Sequence, residues 1–307
     1  MNKERLIGKV EGEYPGPLNI IIGGLHGNED SGVIALEEVF ETIERERIPI
    51  KGKFVGLRGN IEALKNKSRY IDYDMNRCWY DHHIHALSFG QAERDSSEDH
   101  EVMDLLDWIK EESIGQYESK VMMDLHATSS KNGVFIVIPQ EETDLDIPAS
   151  MNIPIIFGLE KKIGGTLLNY FPNQDFVSFA FEGGLIGSEV AVKLHKTGIW
   201  DVLYASGAIE VEREERHHDV MEYIKNDHMP HPAKVSVLYR HAINRQDEFK
   251  MLPGFSNFQK VKEGEVLAKD KSGEVRSPMN GLIIMPLYQE SGNDGFFIAQ
   301  ELSNNGV

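Results

Sequence analysis

Over roughly the first 225 residues, short apolar runs alternate with stretches whose apolar residues recur three and four positions apart. "NIIIGG" (Asn19 to Gly24) is apolar without alternation, which predicts a strand covered on both faces. In "SGVIALEEVFETIERE", Val33, Leu36, Phe40 and Ile43 fall on one face of a helix with acids between them. Asn28, Asp30 and Ser31 are candidate N-caps for it. "GKFVGLRGN" (Gly52 to Asn60) predicts a second strand, and strand–helix–strand order favours a parallel unit. Val102, Leu105, Leu106 and Ile109 predict a further amphipathic helix, followed by strands in "KVMMDLHA" (Lys120 to Ala127), "GVFIVIP" and "PIIFG". "FVSFAFEGG" (Phe176 to Gly184) is an apolar strand ending in an acid and glycines, with a helix predicted from about Ser188 to Ala208. Together these predict an α/β fold, a central mixed or mostly parallel sheet flanked by helices.

From "HMPHPAK" onward the helical period disappears, and short strand-like runs such as "KVSVLYR", "GLIIMPLY" and "GFFIAQEL" alternate with glycine turns. That pattern predicts a small β-rich C-terminal domain, barrel- or hammerhead-like. Pro230 and Pro232 set the expected boundary, giving an α/β domain over residues 1–227 and a β-rich domain over 228–307.

Composition narrows the function classes. A chain of 307 residues, 40% of them hydrophobic, can build a substantial core. Its formal net charge of −18 argues against non-specific nucleic-acid binding and against docking on anionic membranes. The single cysteine, Cys78, rules out an internal disulfide and a cysteine-based structural zinc site, and packing is its expected role. The N-terminus lacks the apolar core of a signal peptide, and no run approaches the roughly 18 apolar residues of a membrane span. A cytoplasmic location is expected; whether the chain forms a homo-oligomer is left open.

His26 and Glu29 lie where the first of these strands ends, and binding sites of open α/β sheets collect at such ends. His126 lies at the end of another. Two histidines and a carboxylate are a ligand set for a catalytic zinc that keeps one position for water. Alone, H-x-x-E is a common helix start, and a single histidine at a strand end is more often structural. "SRYIDYDMNRCW" (Ser68 to Trp79) adds two arginines and an amide in a non-helical segment, groups suited to a carboxylate. "DHHIH" (His82, His83, His85) is expected to be a solvated loop.

"GLHGNE", "RYIDYDMNR", "DLH" and "FEGG" occur in that order, and as an ordered set they resemble the succinylglutamate desuccinylase/aspartoacylase family, relatives of the zinc carboxypeptidases, over about residues 18–190. The resemblance implies a zinc-carboxypeptidase-like domain with one zinc ion per chain on His26, Glu29 and His126. It implies Glu182 as general base, Arg69 as the group that polarises the scissile carbonyl, and Asn76 with Arg77 as the holder of the substrate carboxylate. Tyr288 would correspond to a tyrosine reaching in from the C-terminal domain. Asp124, two residues before His126 on a strand, shares its face and is a candidate to orient that ligand. The chain departs from aspartoacylase in "FPNQDFVSF", which lacks a further substrate-binding arginine. The implied activity is zinc-dependent deacylation of an N-acyl amino acid or a similar small anionic amide. Two alternatives share parts of this pattern. One is a metallocarboxypeptidase acting on peptides. The other is a non-catalytic binding module, because "VKEGEVLAKDKSGEVRSPMNGLI" resembles a biotinyl/lipoyl half-barrel with Lys271 at the modified position.

Overall fold

The computed structural model describes residues 1–131, 133–139, 146–171, 175–210, 232–289 and 292–302. Strand β1 (Leu6–Glu11) precedes β2 (Leu18–Gly23), helix α1 (Ser31–Glu46) and β3 (Lys53–Arg58), with β2 and β3 parallel. A short helix α2 (Ile61–Asn66), a 3-10 turn at Met75–Arg77, α3 (Asp81–Ser88) and α4 (Ser97–Glu112) lead to β4 (Lys120–Thr128). Next come β5 (Val134–Ile138), α5 (Asp146–Ser150), β6 (Ile155–Phe157), α6 (Leu167–Tyr170), β7 (Val177–Leu185) and α7 (Glu189–Ala205).

The unbroken apolar run of β2 follows from its place in the middle of this sheet. Ile21 packs with Leu36 and Val39 of α1 and Leu194 and Val202 of α7 on one face. Its neighbours Ile20 and Ile22 pack with Leu105, Leu106 and Ile109 of α4 on the other. Every β2 side chain is therefore buried, and alternation is lost although the strand period of two is intact.

Further along the chain come β8 (Lys234–Ala242), β9 (Lys250–Met251), β10 (Gln259–Val261), β11 (Val266–Asp270), β12 (Gly273–Arg276), β13 (Gly281–Ile284) and β14 (Asp294–Glu301). Among the described residues the large sheet has eleven strands in the order β1-β3-β2-β4-β7-β5-β6-β8-β14-β13-β10, beside a three-stranded sheet β12-β11-β9. β5 runs antiparallel to β7, so the sheet is mixed. The β-rich C-terminal segment joins this sheet directly, since β6 pairs in parallel with β8 at Ile155↔Lys234 and Phe157↔Ser236. A shared apolar cluster of Phe135, Ile156, Val235, Phe258 and Phe297 lies across that junction. The expected boundary between residues 227 and 228, with Pro230, lies outside the described residues.

Two local outcomes differ from the sequence reading. "DHHIH" belongs to helix α3 and not to a loop, because Ile84 and Leu87 supply one buried face while His82 and His85 remain exposed. Strand β1, which the apolar pattern did not predict, is a half-buried edge strand antiparallel to β3. Among the described residues no helix is long and apolar enough to cross a membrane.

Candidate active site

The ends of β2, β4 and β7 meet at one point because the three strands are parallel neighbours. The chain leaves β2 through Gly24, whose φ of 74° is the left-handed conformation that glycine adopts without strain. Gly27 presses so closely on α2 that a Cβ there would lie 2.0 Å from the Ala63 carbonyl carbon. This tight passage puts His26 and Glu29 above the strand end, and Glu29 N–H donates to the His26 carbonyl at 3.1 Å. Asp30 then sits at the N-cap of α1 without a side-chain capping bond.

His26, Glu29 and His126 are 4%, 3% and 6% exposed, and one ligand atom from each lies within 4.8 Å of the others. The nitrogens that face inward are both Nδ1: that of His26 is 3.0 Å from Glu29 Oε1, and that of His126 is 3.1 Å from Glu29 Oε2. The outward Nε2 atoms face further carboxylates, Asp74 Oδ1 at 3.1 Å and Asp124 Oδ2 at 2.7 Å. This arrangement fits a zinc ion on its donor chemistry. Each histidine keeps one nitrogen for the shared centre and gives the other to an orienting carboxylate, as metal-bound histidines do. Asp124 thus stands where the strand period places it, and Asp74 performs the same service for His26. Ala127 N–H also donates to Glu29 Oε2 at 3.0 Å.

The electrostatics of these groups are strongly coupled. Burial opposes ionisation of Glu29, yet the facing histidines hold its carboxyl well below the usual range. Against burial, the carboxylates of Asp124 and Glu29 raise His126 well above an ordinary histidine. Burial likewise opposes ionisation of Asp74, but His26 and Arg69 keep it low. Such a cluster favours cationic character on His126, and a divalent cation can replace it.

Glu182 pairs in register with His126 across β4 and β7, so the two side chains emerge side by side on one face. It is 5% exposed, and its Oε2 has no hydrogen-bond partner among the described residues. Burial pushes its carboxyl up to about 8, with Glu29 and Asp124 adding to the rise and His126 and Arg69 opposing it. Beneath it, His195 of α7 lies 2.9 Å from the His126 carbonyl through Nε2 and fills the space that a side chain at Gly183 would need. Burial lowers His195 to about 4, so its ring is neutral and can donate that bond.

The arginine segment is brought to the same place by a buried acid. Glu98 of α4 accepts from the backbone N–H groups of Ile71, Asp72 and Tyr73 at 2.7, 2.9 and 3.3 Å, and from Asn60 Nδ2 at 2.9 Å. Arg69 then lies 3.0 Å from Asp74 Oδ2 and 3.3 Å from Glu29 Oε1. Asn76 is buried, and its Oδ1 accepts from Leu167 N–H at 2.9 Å. Arg77 donates to Asp294 Oδ2 at 2.8 Å, and Arg240 holds the other oxygen of Asp294.

A cavity of about 110 Å³ opens between these groups, lined by the three candidate ligand residues, Glu182, Arg69, Asn76 and Arg77. Tyr288 is not among the residues that line it. Its hydroxyl accepts from Phe255 N–H and donates to the Leu252 carbonyl, both at 2.9 Å, while its backbone N–H donates to Oγ of cavity-lining Ser129 at 3.1 Å. Its neighbours Leu287 and Gln289 line the cavity instead. Cys78 is buried with its thiol on the Met75 carbonyl, consistent with packing. Lys271 follows β11 at the turn into β12, 3.4 Å from Asp247, and is not among the residues that line the cavity. Of the supporting residues, Asp74, Glu98, His195 and Asp294 were not singled out from the sequence. Asp74 lies within the quoted "RYIDYDMNR"; the other three meet the site only through tertiary contacts.

Comparison with known proteins bears on the fold and the family. A succinylglutamate desuccinylase from Pseudoalteromonas atlantica is 24% identical over 281 residues, covering 85% of this chain and 74% of that protein. One from Shewanella amazonensis is 24% identical over 171 residues, covering 53% of this chain and 48%, about half, of its own length. A probable aspartoacylase from Parasynechococcus marenigrum is 28% identical over 120 residues, covering 39% of this chain and 36% of that protein. The crystal structure of a succinylglutamate desuccinylase/aspartoacylase from Rhodobacter sphaeroides superimposes with a TM-score of 0.67 at 16% identity, covering 97% of this chain and 88% of that one. The family model for the succinylglutamate desuccinylase/aspartoacylase catalytic domain matches residues 15–182, more than half of the chain and a span that holds all three metal-ligand candidates, the arginine segment and Glu182, and the chain therefore belongs to that family.

Proposed function

We propose that this chain is a zinc-dependent amide hydrolase that removes the acyl group from an N-acyl amino acid or a similar small anionic amide, acting in the cytoplasm on a free small molecule and on neither nucleic acid nor membrane. The observation that carries the reading is the pairing of a closed His26–Glu29–His126 ligand set with a buried, unpartnered carboxylate at Glu182 in the next strand. Family membership supports the reaction class, since the named relatives are desuccinylases and aspartoacylases.

One zinc ion held by the three ligands would supply an acidified water and a Lewis acid for the scissile carbonyl. Glu182 takes a proton from the attacking water and passes it to the departing nitrogen, so that the amide C–N bond breaks as the elements of water are added. A buried carboxylate with no competing donor is a stronger base than an exposed one, which suits a group that must both accept and return a proton. Arg69, fixed by Asp74, presents its guanidinium to the carbonyl oxygen as charge develops there. Asn76 and Arg77 hold the substrate carboxylate and so place the amide against Glu182. The contribution of Met285, Leu287 and Gln289 of the C-terminal segment to the cavity lining favours a small amide over the end of a peptide chain.

Chelation tests this directly. Protein stripped of metal should lose release of free amine from N-acyl amino acids, and stoichiometric zinc should restore it. Equal turnover by stripped and zinc-loaded protein would contradict the reading.

A further inference from the structure

The cavity has two unlike ends. One is the polar end built from the ligand set, Glu182 and the arginines. The other is an apolar wall made by Val137, Leu159, Ile163, Leu168, Ala180 and Phe297, all of them buried. Ala180 lies two residues before Glu182 on the same strand, so this wall begins immediately beside the carboxylate. Its six residues also belong to the apolar cluster that joins the C-terminal strands to the sheet, so the wall is continuous with a packed core.

The charges at the polar end are nearly spent. Among the described residues that line the cavity, the arginines are Arg69 and Arg77, against the acids Glu29, Glu160, Glu182 and Asp294, while His26 and His126 are committed to the candidate ligand set. Arg69 already faces Glu29 and Asp74. Arg77 faces Asp294 with Nη2 and the Asn76 carbonyl with Nη1, and its Nε has no partner among the described residues. That leaves donor capacity for one substrate carboxylate. A second carboxylate, as in an N-acyl aspartate or a succinyl glutamate, would be desolvated against aliphatic side chains with no cation to receive it.

Resting on the amide-hydrolase reading above, we propose that the substrates are monoanionic N-acyl amino acids that carry an apolar group, with Asp294 as a specificity-determining residue that discourages dianions. The single carboxylate sits on Arg77 and the apolar group lies along the wall of Val137, Leu168 and Phe297. The apolar group can be the amino-acid side chain or the acyl chain, and the substrates tested separate the two.

The experiment compares kcat/KM of the zinc-loaded full chain for N-acetylleucine, N-hexanoylglycine, N-acetylaspartate and N-succinylglutamate. One or both apolar monoanions should exceed both dianions by about 100-fold, a margin within reach of a buried polar mismatch. The better of the first two identifies whether side chain or acyl chain occupies the wall. A preference for either dianion overturns this inference and leaves the hydrolase reading intact, whereas hydrolysis of none of the four by zinc-loaded protein overturns both. Asp294→Asn should raise the kcat/KM ratio of N-acetylaspartate to N-acetylleucine about tenfold, and an unchanged ratio would remove Asp294 from the proposal.

Discussion

The neighbouring ends of β4 and β7 carry His126 and Glu182 in register, and their surroundings are opposite in kind. Both ring nitrogens of His126 face carboxylates, at 2.7 and 3.1 Å, and its carbonyl is held by His195. Glu182 is equally buried but has an oxygen with no partner among the described residues. The first strand end has its polar groups matched, as a rigid ligand set requires. The second keeps an unmatched carboxylate whose proton affinity is raised, which costs stability and leaves a group free to act on a substrate. Glu112, at the end of α4, resembles the first kind: it is a buried carboxylate satisfied by Lys53 and by Lys9 at 3.1 Å.

Breaking the matched side should have the largest effect. His26→Ala removes one of three ligands, and elemental analysis should find bound zinc falling from about one per chain to near none, with hydrolysis lost alongside. A variant that retained stoichiometric zinc would show that the ligand set is elsewhere. Asp124→Asn and Asp74→Asn leave the ligands in place but weaken their orientation. Competition with a chelator should show zinc affinity reduced roughly 10- to 100-fold for each. An effect of that size is smaller than ligand loss and larger than a surface change, which separates orientation from ligation.

The smallest effect sharpens the contrast at Glu112. Burial opposes its ionisation, but hydrogen bonds from Lys53 and Lys9 hold its carboxyl below the ordinary 4.5. Because the folded value is depressed, its contribution to stability is fully present above about pH 4.5 and is lost as pH falls through the folded value. Lys53→Met should therefore lower stability at neutral pH and flatten its decline towards acid, measured by denaturant unfolding across pH 3 to 7. Parallel pH profiles for the two proteins would contradict the assignment.

Much of the site was legible because its residues sit where short-range rules apply. His26, Glu29, His126 and Glu182 are at or just past strand ends, and Asp124 follows from a period of two. The supporting groups were not legible because nothing local marks them. Glu98 reads as an acid in the first turn of a helix, yet it holds a loop more than 20 residues earlier. Asp294 reads as a polar residue before a glycine, yet it meets Arg77 across 217 positions. At Tyr288 the sequence could not show that its neighbours line the cavity while its own hydroxyl bonds Phe255 and Leu252. Helix α3 was misread because three histidines outweigh Ile84 and Leu87 in a polarity count, although those two residues suffice to bury one face. The joining of β6 to β8 could not be read either, because strand order in a sheet is not a local property of either strand.

The most direct test of the contrast between the two strand ends is Glu182→Gln, measured for zinc content and for kcat on the same preparation. Zinc should remain near one per chain, since Glu182 is not among the ligands, while kcat falls by about 10²- to 10⁴-fold, the range expected for loss of a general base. Wild-type turnover with zinc retained would contradict the account, because the unpartnered carboxylate would then have no part in the chemistry.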